Sequence, residues 1–186
     1  ASSGLSFNKK GTLTAYNISE GGSDWQKSVI INAITKEKID ETITDVKFSG
    51  ASWLGDEGFF YSTYGKVQGS ELSAKTDMHK VYFHKLGTKQ SEDKHIIGDE
   101  NFKRRYMNIG VSDDERFLIL NASIATNGNE LYVKDLKNNT DWIAIQKGYD
   151  YNTDVLDTKG DFIYIMTDKN APNMKLQKFD IKNPSV

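Results

Sequence analysis

Cysteine is missing from the 186 residues of this chain. Its absence excludes disulfides, thiol catalysis and thiolate metal sites, although it chooses no compartment, and cytoplasm and periplasm both suit so soluble a composition. Proline is scarce: the two present, Pro172 and Pro184, fall in polar connectors where a missing N–H costs no ladder bond. The longest apolar runs, such as residues 162–166, have strand length, far below the roughly 20 residues of a membrane-spanning helix. An excess of charge of one sign is lacking too. With 24 Lys and Arg against 26 Asp and Glu, the net charge of -2 gives no field to draw the chain to nucleic acid or a lipid surface. Lys103-Arg104-Arg105 is the only compact basic cluster and reads as a solvated loop or a local ion-pair partner.

Catalytic signatures are also missing. A hydrolase nucleophile elbow needs Gly-x-Ser-x-Gly to expose its hydroxyl on a strained turn. The nearest approaches, Gly21-Gly22-Ser23-Asp24-Trp25 and Gly50-Ala51-Ser52-Trp53-Leu54, fail at the final glycine. Of the three histidines, His84 falls in a strand phrase and His79 and His95 in polar neighbourhoods, with no neighbouring serine and acid arranged as a local motif. Nor does their dispersal suit a metal. The acidic stretches at Asp113-Asp114 and 154–157 lack the ligand pattern of a calcium loop and read as hairpin turns. No cofactor or metal is expected. Trp53, before a turn, and Trp142, in an alternating stretch at 141–145, read as packing residues rather than sugar-stacking platforms.

What the chain does have is a repeat. A turn-flanked strand pair recurs at 7–16, 53–61, 111–120 and 156–165, with a pitch of roughly 45 to 57 residues. That is the spacing of propeller blades. A second apolar strand phrase follows each pair, at 29–37, 80–87, 130–136 and 175–181, rich in Val, Ile, Tyr and Phe. No window carries capped helical periodicity. These patterns predict an all-β chain of about four consecutive blades, each a four-stranded antiparallel sheet, at roughly 1–50, 51–105, 106–150 and 151–186 in one partial domain. Lys10-Gly11, Asp56-Glu57-Gly58 and Lys159-Gly160 place glycine where a tight turn needs positive φ. Glu115-Arg116 replaces it in the third copy, which predicts a different or strained turn. No phrase closes a ring at either end, so the expectation is an excerpt of a larger propeller.

Several phrases exceed what a propeller requires. Ser19-Glu20-Gly21-Gly22-Ser23-Asp24-Trp25, Val46-Lys47-Phe48-Ser49-Gly50-Ala51-Ser52-Trp53, Gly58-Phe59-Phe60-Tyr61-Ser62, His84-Lys85-Leu86-Gly87-Thr88, Gln90-Ser91-Glu92-Asp93 and Val111-Ser112-Asp113-Asp114 follow one another in order. Together they resemble the propeller domain of the prolyl oligopeptidase family. The resemblance implies a seven-bladed propeller, inserted ahead of an α/β-hydrolase domain with a Ser-Asp-His triad that cleaves short peptides after proline. In such an enzyme the propeller covers the active site and admits only small substrates. All three triad residues would lie outside this chain, which alone would be inert. Its partners would be the missing blades, the hydrolase domain and, through the parent enzyme, short peptides.

By the same resemblance the outer substrate pocket is lined by Phe48, by Met107 or its ungapped match Tyr106, and by Thr126. A large apolar group there would offer contact to a substrate side chain and exclude water. Two other readings stay open: an oligopeptidase preferring basic residues, and a non-enzymatic propeller that binds a peptide or protein partner.

Overall fold

The computed structural model describes residues 2–64 and 77–184. Its described part contains strands and two short 3-10 turns, and no helix among these residues is long and apolar enough to cross a membrane. The chain divides into two compact units, Ala1–Asn108 and Ile109–Val186.

In the first unit, β1 (Ser2–Phe7), β2 (Leu13–Ser19), β3 (Trp25–Asn32) and β4 (Lys38–Lys47) form one antiparallel meander. A second contains β5 (Ser52–Leu54), β6 (Gly58–Thr63), β7 (Lys80–Lys85) and β8 (Lys94–Ile97). The third sheet joins β9 (Tyr106–Val111), within which the two units meet in sequence, to β10 (Phe117–Ser123), β11 (Glu130–Asp135) and β12 (Ile143–Gln146). The fourth holds β13 (Thr153–Lys159), β14 (Phe162–Thr167) and β15 (Lys175–Asp180).

Four consecutive antiparallel sheets confirm the all-β expectation, with two corrections of detail. Among the described residues the fourth sheet has three strands rather than four. After β15 the Asp180 carboxylate accepts from the Lys182 amide in a turn. Trp142 lies just before β12 rather than inside a strand.

Residue choice explains the layering. Along β10, β11 and β14 burial alternates with the two-residue period of a pleated strand. All of β6 is buried, and its apolar residues Phe59 and Tyr61 join Ala15, Ile30, Ile43, Val46 and Trp53 in the core of the first unit. In the second, Phe117, Leu131, Val133, Ile163 and Ile165 form the equivalent core. Each side chain of this kind contributes about 1.5 to 3 kcal/mol on burial.

The turns bear out two of the three glycine expectations. Gly11 and Gly160 have φ of 68° and 60°, but in the second sheet the left-handed residue is Gly55, at 55°, rather than Gly58. Glu115 does adopt a strained φ of 59°. Its amide donates to the Ser112 carbonyl at 2.7 Å, and the Ser112 hydroxyl donates to Asp114, whose carboxylate accepts from the Arg116 amide. Side chains there hold a conformation that glycine supplies freely elsewhere.

These first turns also hook neighbouring sheets together. In the first unit Asn8 and Lys10 both donate to Asp56 at 2.5 Å. In the second, Arg116 reaches Asp161 at 2.7 Å and the Gly160 carbonyl at 2.7 Å. Lys103 pairs with Glu100, as a local ion-pair partner should.

Candidate functional site

The end of β4 is fastened to the second sheet almost residue by residue. The Thr44 amide donates to Gln90 Oε1 at 3.0 Å, and Gln90 Nε2 donates back to the Thr44 carbonyl at 2.9 Å. Thr63 Oγ1 donates to the Asp45 carbonyl, and the Ser62 amide donates to Ser49 Oγ at 2.8 Å. Between these ties lies Phe48, with φ of 50°. Left-handed backbone is costly for a bulky aromatic and persists only where its surroundings fix it.

The geometry presents the Phe48 ring outward, 47% exposed. Tyr106, from the start of β9, meets it edge to face at 5.5 Å, and Tyr64 does the same at 6.4 Å. Lys47 lies behind, its ammonium 5.2 Å from the Phe48 ring centre and 4.9 Å from that of Trp25. Cation–π attraction of this kind holds a cation at an apolar surface.

His79 forms the floor of the patch. Its ring stacks on Tyr64 with centres 4.6 Å apart and is fully buried, which corrects the polar surroundings expected from sequence. Nδ1 accepts from the Met107 amide at 2.9 Å, so Nε2 must carry the proton that it donates to the Lys47 carbonyl at 2.8 Å. Protonating Nδ1 would set two donors face to face. Burial pushes the imidazole down to about 4, only partly offset by the bond to Lys47. Because unfolding lets His79 take up a proton near its ordinary 6.5, it should cost stability progressively as pH falls from about 6.5 to about 4. A ring-nitrogen NMR titration should therefore find one neutral Nε2–H histidine throughout that window; a proton arriving on Nδ1 near pH 6 would refute this floor.

Of the residues expected to line a pocket, Phe48 and Tyr106 are brought into contact. Met107 is fully buried beneath them, its Cε beside Gly98 and its carbonyl accepting from Ser62 Oγ at 2.8 Å. Thr126 lies in the second unit, exposed in the connection between β10 and β11. Sequence reading missed Tyr64, Lys47 and His79 as members of the patch. Lys47 had a visible signal, as neighbour of the singled-out aromatic; Tyr64 and His79 had none, because they meet only through the fold.

Successive four-stranded meanders, with an aromatic patch held at the end of one blade, define a β-propeller domain. The chain belongs to the prolyl oligopeptidase N-terminal β-propeller family, whose model matches residues 2–186. It is 63% identical over 183 residues to a prolyl endopeptidase of Elizabethkingia meningoseptica, and 63% identical over 181 residues to one of Elizabethkingia miricola. These alignments cover 98% and 97% of this chain, which spans about a quarter (26%) of the length of either curated relative. A solved structure from a structural and mechanistic study of two prolyl endopeptidases shares the fold with a TM-score of 0.88 at 25% identity, over 98% of this chain and 26% of that one.

Proposed function

We propose that this chain is the gating propeller of a serine peptidase that hydrolyses short peptides after proline. Acyl transfer would be carried out by a triad on a separate α/β-hydrolase domain. The observation that carries the reading is the 63% identity to prolyl endopeptidases along nearly the whole chain. The chain's own residues supply a recognition surface. Phe48 offers an apolar ring whose orientation is fixed before substrate arrives, and Tyr106 and Tyr64 hold that ring from two sides. Such preorganisation lowers the ordering cost of binding. Burial pushes the Tyr64 phenol up to about 12, and Tyr106 adds to the shift, so that hydroxyl stays neutral beside the Phe48 ring. Met107 supports the patch from below, and Thr126 is carried by the second unit.

The full-length protein should cleave a short proline-containing chromogenic peptide, and cleavage should decline as peptides lengthen. Failure on every short proline peptide overturns the reading. Phe48→Ala should raise KM roughly ten- to hundredfold, the effect of losing a buried aromatic contact. The kcat should hold, because that contact is made equally in ground and transition states. An unchanged KM would remove Phe48 from the pocket.

A further inference from the structure

Two of the phrases that carry the family resemblance, His84 to Thr88 and Gln90 to Asp93, meet at one fully buried imidazole. His84 Nδ1 lies 2.7 Å from Asp93 Oδ1, and Nε2 lies 3.4 Å from Glu41 Oε1. Both carboxylates are themselves sheltered, with side chains 2% and 12% exposed. Glu41 comes from β4 of the first blade, whereas Asp93 follows β7 in the second. A neutral imidazole has one N–H and can donate to only one of these acceptors. An imidazolium donates from Nδ1 to Asp93 and holds Nε2, which makes no hydrogen bond here, in an ion pair with Glu41, so its charge offsets two buried anions.

Every element packed against His84 fits this arrangement. From β6, the Phe59 ring covers the imidazole at 5.5 Å and the Tyr61 phenol donates to Asp93 Oδ2 at 2.7 Å. Between β7 and β8, Gln90 Nε2 donates to the same phenol at 3.3 Å while its other bonds grip Thr44. From β4, Glu41 also accepts the Gly87 amide at 2.5 Å. A continuous chain of polar contacts therefore runs from His84 through Asp93, Tyr61 and Gln90 to Thr44, four residues before Phe48.

We propose that His84 is a positioning residue: as an imidazolium it clamps β4 of the first blade to the β7–β8 hairpin of the second, and so fixes the strand end that presents Phe48 to substrate. The clamp rests on the proposed peptidase reading only for what Phe48 contacts. It also makes the seam sensitive to pH. Burial lowers the affinity of His84 for its proton, but Asp93 and Glu41 outweigh burial and raise it above the ordinary 6.5. A raised folded value contributes stability that is complete below about 6.5 and is lost as pH rises through that folded value. On the alkaline side the ring keeps one proton, the bridge to Glu41 or Asp93 opens, and β4 loosens.

The full-length protein, labelled on histidine ring nitrogens, tests this directly, with His84→Gln used to assign the signal. At pH 6, below the ordinary 6.5, both ring nitrogens of His84 should carry protons. Through its deprotonation, amide exchange at Thr44 and Gly87 should accelerate together, roughly ten- to hundredfold beyond the intrinsic pH effect, as expected for losing a charged hydrogen bond. KM for a short peptide should rise across the same titration. Glu41→Gln keeps an acceptor for Gly87 but removes one anion, so it should move both the exchange transition and the KM limb to lower pH; it serves even if His84→Gln does not fold. A singly protonated His84 at pH 6, or exchange at Thr44 and Gly87 with no transition, overturns the clamp. A Phe48→Ala protein with normal KM, by contrast, overturns only the role of Phe48 under the peptidase reading.

Discussion

Arg116→Ala should destabilise the second unit by about 3 to 5 kcal/mol, the usual cost of leaving a buried charge without its partner. The Arg116 guanidinium donates through Nε and Nη2 to Asp135 Oδ2, at 3.1 and 2.6 Å, and through Nη2 to Asp161. Nη1 reaches the Gly160 carbonyl, and the planar group lies 4.7 Å from the Phe117 ring centre. Asp135 is the group left stranded, since its side chain is 1% exposed. Burial alone would raise its affinity for a proton, but Arg116 and Asn138 reverse that and bring it down to about 2. The contribution of that depressed value is present above the ordinary 3.8 and disappears as pH falls through about 2.

Urea denaturation should therefore show the Arg116→Ala loss in full at pH 7 and a smaller one near pH 2. Arg116→Lys should recover only part, because one ammonium cannot span two carboxylates and a carbonyl in the guanidinium's fixed fork. Adding Asp135→Asn to Arg116→Ala should restore stability by removing the stranded charge while keeping an acceptor for the Lys137 and Asn138 amides. If the double variant is no better than Arg116→Ala, the loss comes from packing against Phe117 instead.

The blade count was legible because turn residues and strand period are local properties. Residues 7–16 and 156–165 announce hairpins whatever surrounds them. Phe48 and Tyr106 were legible through resemblance. The rest of the patch was not, because a position such as His79 carries no local mark of burial: its polar neighbours in sequence are replaced in the fold by Tyr64, the Lys47 carbonyl and the Met107 amide. Likewise the His84 and Gln90 phrases could be seen to exceed the needs of β structure, but their object, the Glu41 to Thr44 stretch of another sheet, lies more than 40 residues away in sequence. Such pairings depend on how one blade abuts the next, and no single-blade pattern encodes that.

Gly58 shows how one residue type hides two different constraints. Its place in Asp56-Glu57-Gly58 suggests a turn glycine, yet positive φ belongs to Gly55. A Cβ on Gly58 would instead overlap the His84 carbonyl oxygen, and would come within 3.0 Å of the His84 carbonyl carbon and of Phe83 Cζ. The obstacle is partner-strand backbone, fixed by the pairing of Gly58 with Lys85 and by the Leu86 amide on the Glu57 carbonyl. Gly58→Ala must push β6 and β7 apart at the base of the imidazole clamp, so its cost should reach about 3 kcal/mol, the upper end of ordinary overpacking. Gly11→Ala gives the contrast. Nothing stands within 4 Å of its added Cβ, and only the φ of 68° opposes it, a cost of about 1 to 2 kcal/mol. Side by side in urea, Gly58→Ala should lose clearly more than Gly11→Ala, and should also free the His84 proton at lower pH as Asp93 and Glu41 are drawn off the ring. Equal losses, with His84 titrating as in the wild type, would mean that the strand pair yields at Gly58 and that the clamp does not depend on its close approach.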